Sequence, residues 1–162
     1  MTIDGTDFRI NEQTPFWTGW YSFKFKAAGL RYEVGLNIQT GSICWINGPF
    51  APGVWNDLSI FRLKLKTLLP PGEMVEADGG YRGDERVRAP MSATNMLESL
   101  MADNARGRHE TVNRRFKQFN CLSQKFRHEK EKHGICFEAV AVIAELSIQN
   151  GEPLFQVNYY IP

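Results

Sequence analysis

The chain has 162 residues, 43% of them hydrophobic and 23% charged, which fits one folded globular domain and excludes a disordered or fibrous chain. The formal net charge is only +1, but residues 106–132 carry nine Lys/Arg and three acids, so a basic segment accompanies an otherwise acidic chain. This division of charge suits the binding of a polyanion together with a divalent metal, although a solvated helix face has the same pattern.

Cysteine usage and hydropathy indicate the cellular environment. The cysteines, Cys44, Cys121 and Cys136, are odd in number and sparse, which argues against a disulfide framework and for a reducing compartment. The N-terminus has no apolar signal-peptide core, and the most apolar stretch, residues 135–148, is too short to span a membrane. We therefore expect neither secretion nor a membrane partner.

The first part of the chain predicts three strands. Residues 2–10 alternate between apolar and polar side chains. Residues 30–38 alternate in the same way, and Thr40-Gly41 then turns the chain into residues 42–46, so these two runs predict a hairpin. We expect Asn47-Gly48-Pro49 to end this hairpin.

The segment between the first two strands, residues 13–26, is rich in aromatic residues. It contains Phe16, Trp17, Trp20, Tyr21, Phe23 and Phe25. Because aromatic side chains carry large apolar areas, we interpret this segment as core and sheet packing.

A helix and a short strand follow. The pair Asn56-Asp57 indicates the N-cap region of the helix, and Pro70-Pro71 ends it. Its apolar positions at helical spacing are Leu58, Phe61, Leu65 and Leu68. Residues 73–77 then predict a strand that ends at Asp78, where Gly79-Gly80 lets the backbone turn sharply.

Asp78 is the first candidate functional residue. An acid at the carboxyl end of a strand, before a Gly-rich turn, occupies the position where sheet proteins place chemistry. Asp-Gly is also the commonest turn dipeptide, so the motif alone leaves both interpretations open. A second such acid, Asp4 in Asp4-Gly5-Thr6, and a third, Glu110 on a patterned helix, favour a site.

The C-terminal part predicts a short strand at residues 86–90 and two helices, at about 104–119 and 133–150, the second ended by Gly151. One face of the first helix carries Arg106, Glu110, Asn113 and Lys117, and a separate face carries Val112, Phe116 and Phe119. The inward positions of the second helix are Phe137, Val140, Ala141 and Ala144. The charged face of the first helix either looks into a cleft or forms an exposed salt-bridge ladder.

The order of these elements predicts an α/β fold with a mixed sheet flanked by helices. Asp4 on the first strand, Asp78 at the end of the fourth and Glu110 on a later helix can converge at one edge of that sheet.

These three acids and their neighbours resemble the DDE transposase nuclease domain, and the chain looks closest to its Harbinger-type branch. The resemblance rests on Asp4-Gly5-Thr6, on Asp78-Gly79-Gly80-Tyr81, and on Glu110 followed by Asn113-Arg-Arg-Phe-Lys117. Asn56-Asp57 also matches a family element that opens the first helix. Arg106 before Glu110 resembles the Arg–Glu–Lys signature of bacterial insertion-sequence transposases, but Asp103 stands where that signature has tyrosine.

The resemblance implies an RNase H-like fold and cleavage and strand transfer of DNA. It also implies a two-metal site with Mg²⁺ or Mn²⁺ held by Asp4, Asp78 and Glu110, and two such ions lie about 3.5–4 Å apart. Residues Arg106, Asn113, Arg114 and Lys117 would contact DNA, mainly its backbone.

Family transposases usually carry a DNA-binding segment before the first Asp, whereas only three residues precede Asp4 here. We therefore expect residues 1–162 to be a single nuclease domain without that segment, acting in the nucleus. End recognition would come from a missing segment or from a separate DNA-binding partner protein, and an oligomer is left open. A domesticated or truncated DNA-binding protein that no longer cuts is the alternative function. A nucleotide-binding domain of another fold is disfavoured because no Gly-rich phosphate loop of the required spacing follows a strand.

Overall fold

A computed structural model describes residues 1–90 and 96–159. Its strands are β1 (Thr2–Arg9), β2 (Tyr21–Ser22), β3 (Ala27–Leu36), β4 (Ile43–Phe50), β5 (Val75–Ala77) and β6 (Val87–Arg88). Its helices are α1 (Asp57–Leu63), α2 (Leu65–Leu68), α3 (Met96–Phe116), α4 (Asn120–Ser123) and α5 (Glu131–Gln149). Two 3₁₀ turns span Thr18–Trp20 and Gly79–Tyr81.

Strand β1 is central to the sheet. It pairs antiparallel with β3 along its whole length and parallel with β5, and β6 extends the sheet in parallel on β5. Strand β3 also pairs antiparallel with β2 and with β4. The strand order is therefore β2–β3–β1–β5–β6 with β4 also on β3, which confirms the predicted mixed sheet flanked by helices.

Two hydrophobic clusters cover the two faces of this sheet. Phe8 of β1 packs with buried residues of α3 and α5, whereas Ile3 packs with buried residues of α1 and α2. Because Ile3 and Phe8 are five positions apart on one strand, their side chains point to opposite faces. Helices α3 and α5 therefore cover the face of Phe8 and Asp4, and α1 and α2 cover the face of Ile3 and Gly5.

Several predicted elements have different limits. Helix α3 begins at Met96 rather than near Asn104 and ends at Phe116 rather than at Phe119. Strand β4 continues through Asn47-Gly48-Pro49 to Phe50 because its pairing with β3 resumes at Arg31 after an irregularity in register. The Gly48 backbone has φ of +143°, which allows this irregularity without a side-chain clash.

The predicted helix after Asn56 is interrupted. The backbone at Lys64 leaves helical geometry, so the helix divides into α1 and α2. Phe61 and Leu65 are buried as predicted, but Leu68 is exposed and Leu69 takes its place in the core. The interruption changes the phase of the helix, which explains why the fixed spacing selects the wrong last residue.

The aromatic segment is the largest departure from the sequence prediction. Phe16, Trp17 and Phe23 were expected in the core, yet each is exposed. Trp20, in contrast, is partly buried against the larger hydrophobic cluster. Aromatic composition therefore fails here as a signal of burial.

In the described part of the chain, no helix has the length and apolarity to cross a bilayer.

Candidate functional site

Asp4 and Asp78 lie side by side because of the parallel pairing of β1 and β5. Ile3 of β1 is the partner of Ala77 of β5, and each acid follows directly in its chain. Neighbouring strands lie about 4.8 Å apart, so two residues that follow paired positions remain neighbours. The Asp78 carboxylate accepts a hydrogen bond of 2.8 Å from the backbone N–H of Gly80, which fixes it at the end of the strand.

Glu110 reaches the same place from helix α3. A cleft of about 310 Å³ is lined by Ile3, Asp4, Asp78, Asp103, Arg106, Gly107, His109 and Glu110. The structure thus brings all three predicted acids to one cleft, with Asp4 half-buried and Asp78 and Glu110 exposed. Their role as catalytic and metal-binding residues stays a prediction.

Two polar contacts hold α3 over this end of the sheet. His109 Nε2 lies 2.9 Å from Oγ1 of Thr2, and burial lowers the pKa of His109 to about 4, so the ring is neutral at pH 7. One turn earlier, Arg106 pairs with Glu76 of β5 at 3.4 Å. These contacts join the helix to β1 and β5, the two strands that carry Asp4 and Asp78.

Asp57 is a residue that the sequence analysis did not assign to the site. The N-cap of α1 is Asn56, whose side chain accepts a 2.8 Å hydrogen bond from the N–H of Ser59, so Asp57 is not the cap. A Cβ on Gly80 would lie 2.9 Å from Asp57 Oδ2 and 3.0 Å from Asp78 Oδ1. The absence of a side chain at Gly80 therefore lets two carboxylates approach the same point.

The glycine that follows Asp4 serves Asp57 in the same way. A Cβ on Gly5 would overlap the Asp57 carboxylate. The signal in the sequence is thus a glycine close after each of two acids, Gly5 after Asp4 and Gly80 two residues after Asp78. Gly5 lies within β1 and Gly80 within a 3₁₀ turn, and both make room for a third acid.

The cleft has an excess of negative charge. The pKa of Asp4 is raised to about 6, mainly by burial and also by the charges of Asp78 and Asp57, while Lys24 partly offsets these effects. Burial also raises the pKa of Asp57, which Arg31 offsets and Asp78 reinforces. A cation placed among these carboxylates would stabilise their charged forms and so lower the pKa values of both Asp4 and Asp57.

A buried acid lies beneath the site. Glu33 of β3 is fully buried opposite Gly5, and its Oε2 accepts a 2.8 Å hydrogen bond from Trp45 Nε1. Burial raises the pKa of Glu33 to about 7. Glu33 Oε1 and the Tyr81 hydroxyl are both buried with no hydrogen-bond partner among the described residues. Tyr81 ends the 3₁₀ turn that begins at Gly79, and its side chain is fully buried.

The donor set fits a hard divalent cation, although the ligand arrangement is not preformed. Asp4, Asp57 and Asp78 offer only oxygen atoms, which Mg²⁺ and Mn²⁺ prefer, and Oδ1 of Asp57 is buried without a hydrogen bond. Over residues 1–90 and 96–159, no group of three or more Asp, Glu, His or Cys side chains is close enough to hold one ion. Binding would therefore require these side chains to draw together.

The four residues predicted to bind DNA differ in accessibility. Arg106 lines the cleft, but its side chain is only 14% exposed and its guanidinium is paired with Glu76 and Asp103. Arg114 and Lys117 are exposed and Asn113 is partly buried, and none of these three lines the cleft. Lys117 lies just beyond the end of α3, about 10 Å from Glu110 along the helix axis at 1.5 Å per residue.

Comparison with known proteins gives one match. The model of a family described as DDE superfamily endonuclease matches residues 3–146, which contain all three predicted acids. No curated protein and no solved structure matches the chain significantly.

Proposed function

Because the chain belongs to the DDE superfamily endonucleases, we propose that it is the divalent-metal-dependent nuclease core of a Harbinger-type transposase, which cleaves DNA and transfers its strands. The family and the mixed sheet are those of an RNase H-like nuclease. The observation that carries the proposal is the cleft itself, where Asp4 and Asp78 follow paired positions of parallel strands and Glu110 reaches the same cleft from α3.

Asp4, Asp78 and Glu110 would hold Mg²⁺ or Mn²⁺ in this cleft. When bound, the ions supply an activated water or 3′-hydroxyl and stabilise the leaving oxygen. The chain's own contribution is to hold several negatively charged carboxylates close together on the sheet. The cleft therefore favours a cation before any cation has bound. Asp57 adds a further negative charge, and Arg31, whose Nη1 lies 3.3 Å from Asp57 Oδ1, restrains it.

The basic segment would position DNA. Arg114 and Lys117 are exposed on α3 and at its end, where they can contact phosphates without reading bases. Arg106 would have to exchange Glu76 and Asp103 for a phosphate, so we assign it a later role, when DNA has entered the cleft. Binding by these residues should be salt-sensitive and largely indifferent to sequence.

The remaining features of the proposal follow from these roles, in which the acids hold metal and the basic residues position DNA. Residues 1–162 act as one nuclease domain, and recognition of particular DNA ends comes from another segment or from a DNA-binding partner protein. DNA is the substrate, the site of action is the nucleus, and an oligomer can bring two DNA ends together.

One observation favours the alternative of a transposase-derived protein that binds DNA without cutting it. No three-carboxylate ligand group is formed in the described part of the chain. A protein that had lost cleavage would tolerate such an arrangement, whereas an active nuclease must close it when metal and DNA bind.

Nicking of supercoiled plasmid distinguishes these functions. The parent should nick DNA with Mg²⁺ or Mn²⁺ and not with EDTA, and Asp4→Asn, Asp78→Asn and Glu110→Gln should each abolish nicking while DNA binding persists. Glu85→Gln is the matched control, because Glu85 is exposed and does not line the cleft. A parent that binds DNA but never nicks it would support the non-cutting alternative, and nicking that survives all three substitutions would reject the assigned site.

A further inference from the structure

The exposed aromatic residues of the segment between β1 and β3 have no role in the function proposed above. Phe23 is 78% exposed, Trp17 52% and Phe16 42%. The Phe23 ring contacts Tyr21 edge-on with centroids 5.2 Å apart, and Trp17 contacts Trp20 in the same manner at 5.3 Å. The Phe23 and Trp17 rings are therefore each braced by a second ring that is partly buried. We refer to Trp17, Tyr21 and Phe23 as the aromatic platform.

Phe23 and Lys24 form the tip of a hairpin between β2 and β3. The backbone N–H groups of Phe25 and Lys26 both donate to the carbonyl of Ser22, at 3.3 and 2.8 Å, which closes the turn. Residues 23 and 24 therefore project from a closed turn rather than from a loose loop. Both are exposed.

The tip lies within electrostatic range of the acidic cleft. The positive charge of Lys24 acts on both Asp4 and Asp57 and partly offsets the rise in their pKa. Phe23 precedes Lys24 in the same turn, and its ring packs on Tyr21. A strand of DNA with one phosphate in the cleft would therefore have its next nucleotides near this hairpin.

Buried polar contacts fix the hairpin relative to the acids. Ser22 Oγ donates a 2.6 Å hydrogen bond to Asp7 Oδ2, and Arg31 Nε donates a 2.7 Å hydrogen bond to Asp7 Oδ1. Arg31 also contacts Asp57 at 3.3 Å. An unbroken series of contacts thus runs from the base of the hairpin to Asp57, whose carboxylate lies against Gly5 and Gly80 beside Asp4 and Asp78.

The other side of the platform is fixed as well. The N–H of Gly53, in the loop before α1, donates a 2.9 Å hydrogen bond to the carbonyl of Gly19. The 3₁₀ turn that contains Gly19 is therefore attached to the segment that leads to Asp57. The platform is therefore tied to β1 through Asp7 and to the loop before α1 through Gly53.

The charge around the platform suits a polyanion. Residues 9–26 contain Arg9, Lys24 and Lys26 and a single acid, Glu12. Two cations lie over aromatic rings that neighbour the platform in the chain. Lys130 Nζ is 5.5 Å from the centroid of the Trp20 ring, and the Arg9 guanidinium is 5.1 Å from the centroid of the Phe25 ring. Exposed aromatic faces interleaved with cations are the features with which proteins bind single-stranded nucleic acid.

We propose that Phe23 and Trp17 stack on unpaired DNA bases adjacent to the phosphate held at the acidic cleft, while Lys24 contacts the neighbouring phosphate. A paired base hides its faces in the duplex, so only unpaired or extruded nucleotides can occupy the platform. This inference rests on the proposed function, because the bases belong to the DNA that the cleft would cleave. It adds a preference for locally single-stranded DNA, which the basic segment alone would not provide.

Binding of fluorescein-labelled oligothymidine by the full chain, measured by anisotropy in EDTA, tests this inference. Phe23→Ala should weaken binding about tenfold relative to the parent. Phe23→Tyr should bind like the parent because it keeps an aromatic face for stacking, whereas Phe23→Leu should bind as weakly as Phe23→Ala. On a duplex of the same length, Phe23→Ala should bind like the parent. Ile143→Ala is the matched control, since this exposed apolar residue lies on α5.

A strand of abasic sites separates stacking from charge. It keeps the phosphates but has no bases, so Phe23→Ala should have no effect on it, whereas Lys24→Ala should weaken binding to both strands. Thermal unfolding of each variant should match the parent, because Phe23 is largely in solvent.

The outcomes are distinct. A parent that binds DNA, with Phe23→Ala and Trp17→Ala both unchanged on oligothymidine, would overturn the platform and leave the proposed function standing. A parent that binds no DNA at all would overturn both. Binding of the parent to anionic vesicles that is lost in Phe23→Ala, without any change on oligothymidine, would assign the surface to lipid and overturn the inference.

Discussion

The two halves of β1 each carry a partly or fully buried aspartate, and the surroundings of these two residues differ. Asp7 is 1% exposed and is bound by the hydroxyl of Ser22 and by two nitrogens of Arg31. Asp4, three residues earlier, has Asp78 beside it at the end of β5, and its pKa is raised to about 6 by burial and by the charges of Asp78 and Asp57. One acid is neutralised within the fold and the other is left for a cation to neutralise.

This difference separates stability from function on a single strand. A satisfied buried ion pair holds β1, β2 and β3 together, whereas a group of like charges at the other end weakens the fold and prepares a binding site. The contrast predicts that removing the charge at Asp7 destabilises the protein and that removing the charge at Asp4 does not.

The largest expected effect is on the satisfied acid. Asp7→Ala leaves the Arg31 guanidinium without its main partner and should lower the free energy of unfolding by about 3–5 kcal/mol. Asp4→Asn should leave it unchanged or raise it, because a repelling charge is removed. Urea denaturation of both variants at pH 7 measures this, and equal destabilisation by the two substitutions would contradict the contrast.

Glu33 extends the contrast to a buried acid that lacks a cation. Its pKa is raised from 4.5 to about 7, so the folded state binds a proton more tightly than the unfolded state, and stability falls as the pH rises through that window. Glu33→Gln removes this penalty. At 1.36 kcal/mol per pKa unit, the variant should be more stable than the parent by roughly 3 kcal/mol at pH 8.

The difference between parent and Glu33→Gln is the quantity to measure. The buried histidines His109 and His133 have pKa values lowered to about 4, so they add stability as the pH rises from 4 to 6.5 and oppose Glu33 in the parent's own profile. Their contribution cancels in the difference. We expect the two proteins to be nearly equal at pH 4.5 and to diverge by pH 8. A difference that is constant with pH would show that Glu33 does not titrate in this range.

The adjacent residues Asn56 and Asp57, at the start of α1, give a second comparison between a residue that stabilises the fold and an acid that serves the site. Asn56→Ala removes the cap of α1 and should cost about 1 kcal/mol without changing the thermal shift induced by Mn²⁺. Asp57→Asn keeps the cap and should reduce that shift, because it removes a charge beside Asp78. The reverse pattern would return Asp57 to a purely structural role.

The smallest expected effect concerns DNA outside the cleft. Lys117→Ala should weaken binding about equally on unrelated duplexes and reduce the slope of log K against log salt by roughly one unit. An anisotropy titration over a salt series on two duplexes checks this. Strong discrimination by the parent between those duplexes would reveal a sequence reader among these 162 residues.

The alternation of β1 and the strand before Asp78 were predictable, because period-two patterns and a Gly-Gly turn are local signals. The neighbourhood of Asp4 and Asp78 followed from them once the two strands paired in parallel. The position of Asp57 was not predictable, since an acid at a helix start is equally suited to capping and only the tertiary approach of Gly5 and Gly80 reveals its direction. The exposure of Trp17 and Phe23 was missed because aromatic composition carries no information about which face is covered.

The central claim is that the acidic cleft holds a divalent metal, and anomalous scattering from a crystal of the protein grown with Mn²⁺ tests it most directly. At pH 8 we predict an anomalous peak in contact with carboxylate oxygens of Asp4 and Asp78, at about 2.2 Å. The same experiment at pH 5 should show the peak lost or much reduced, because Asp4, with a pKa of about 6, is then mostly protonated. A cleft without a peak at pH 8, or Mn²⁺ bound only elsewhere on the protein, would contradict the account.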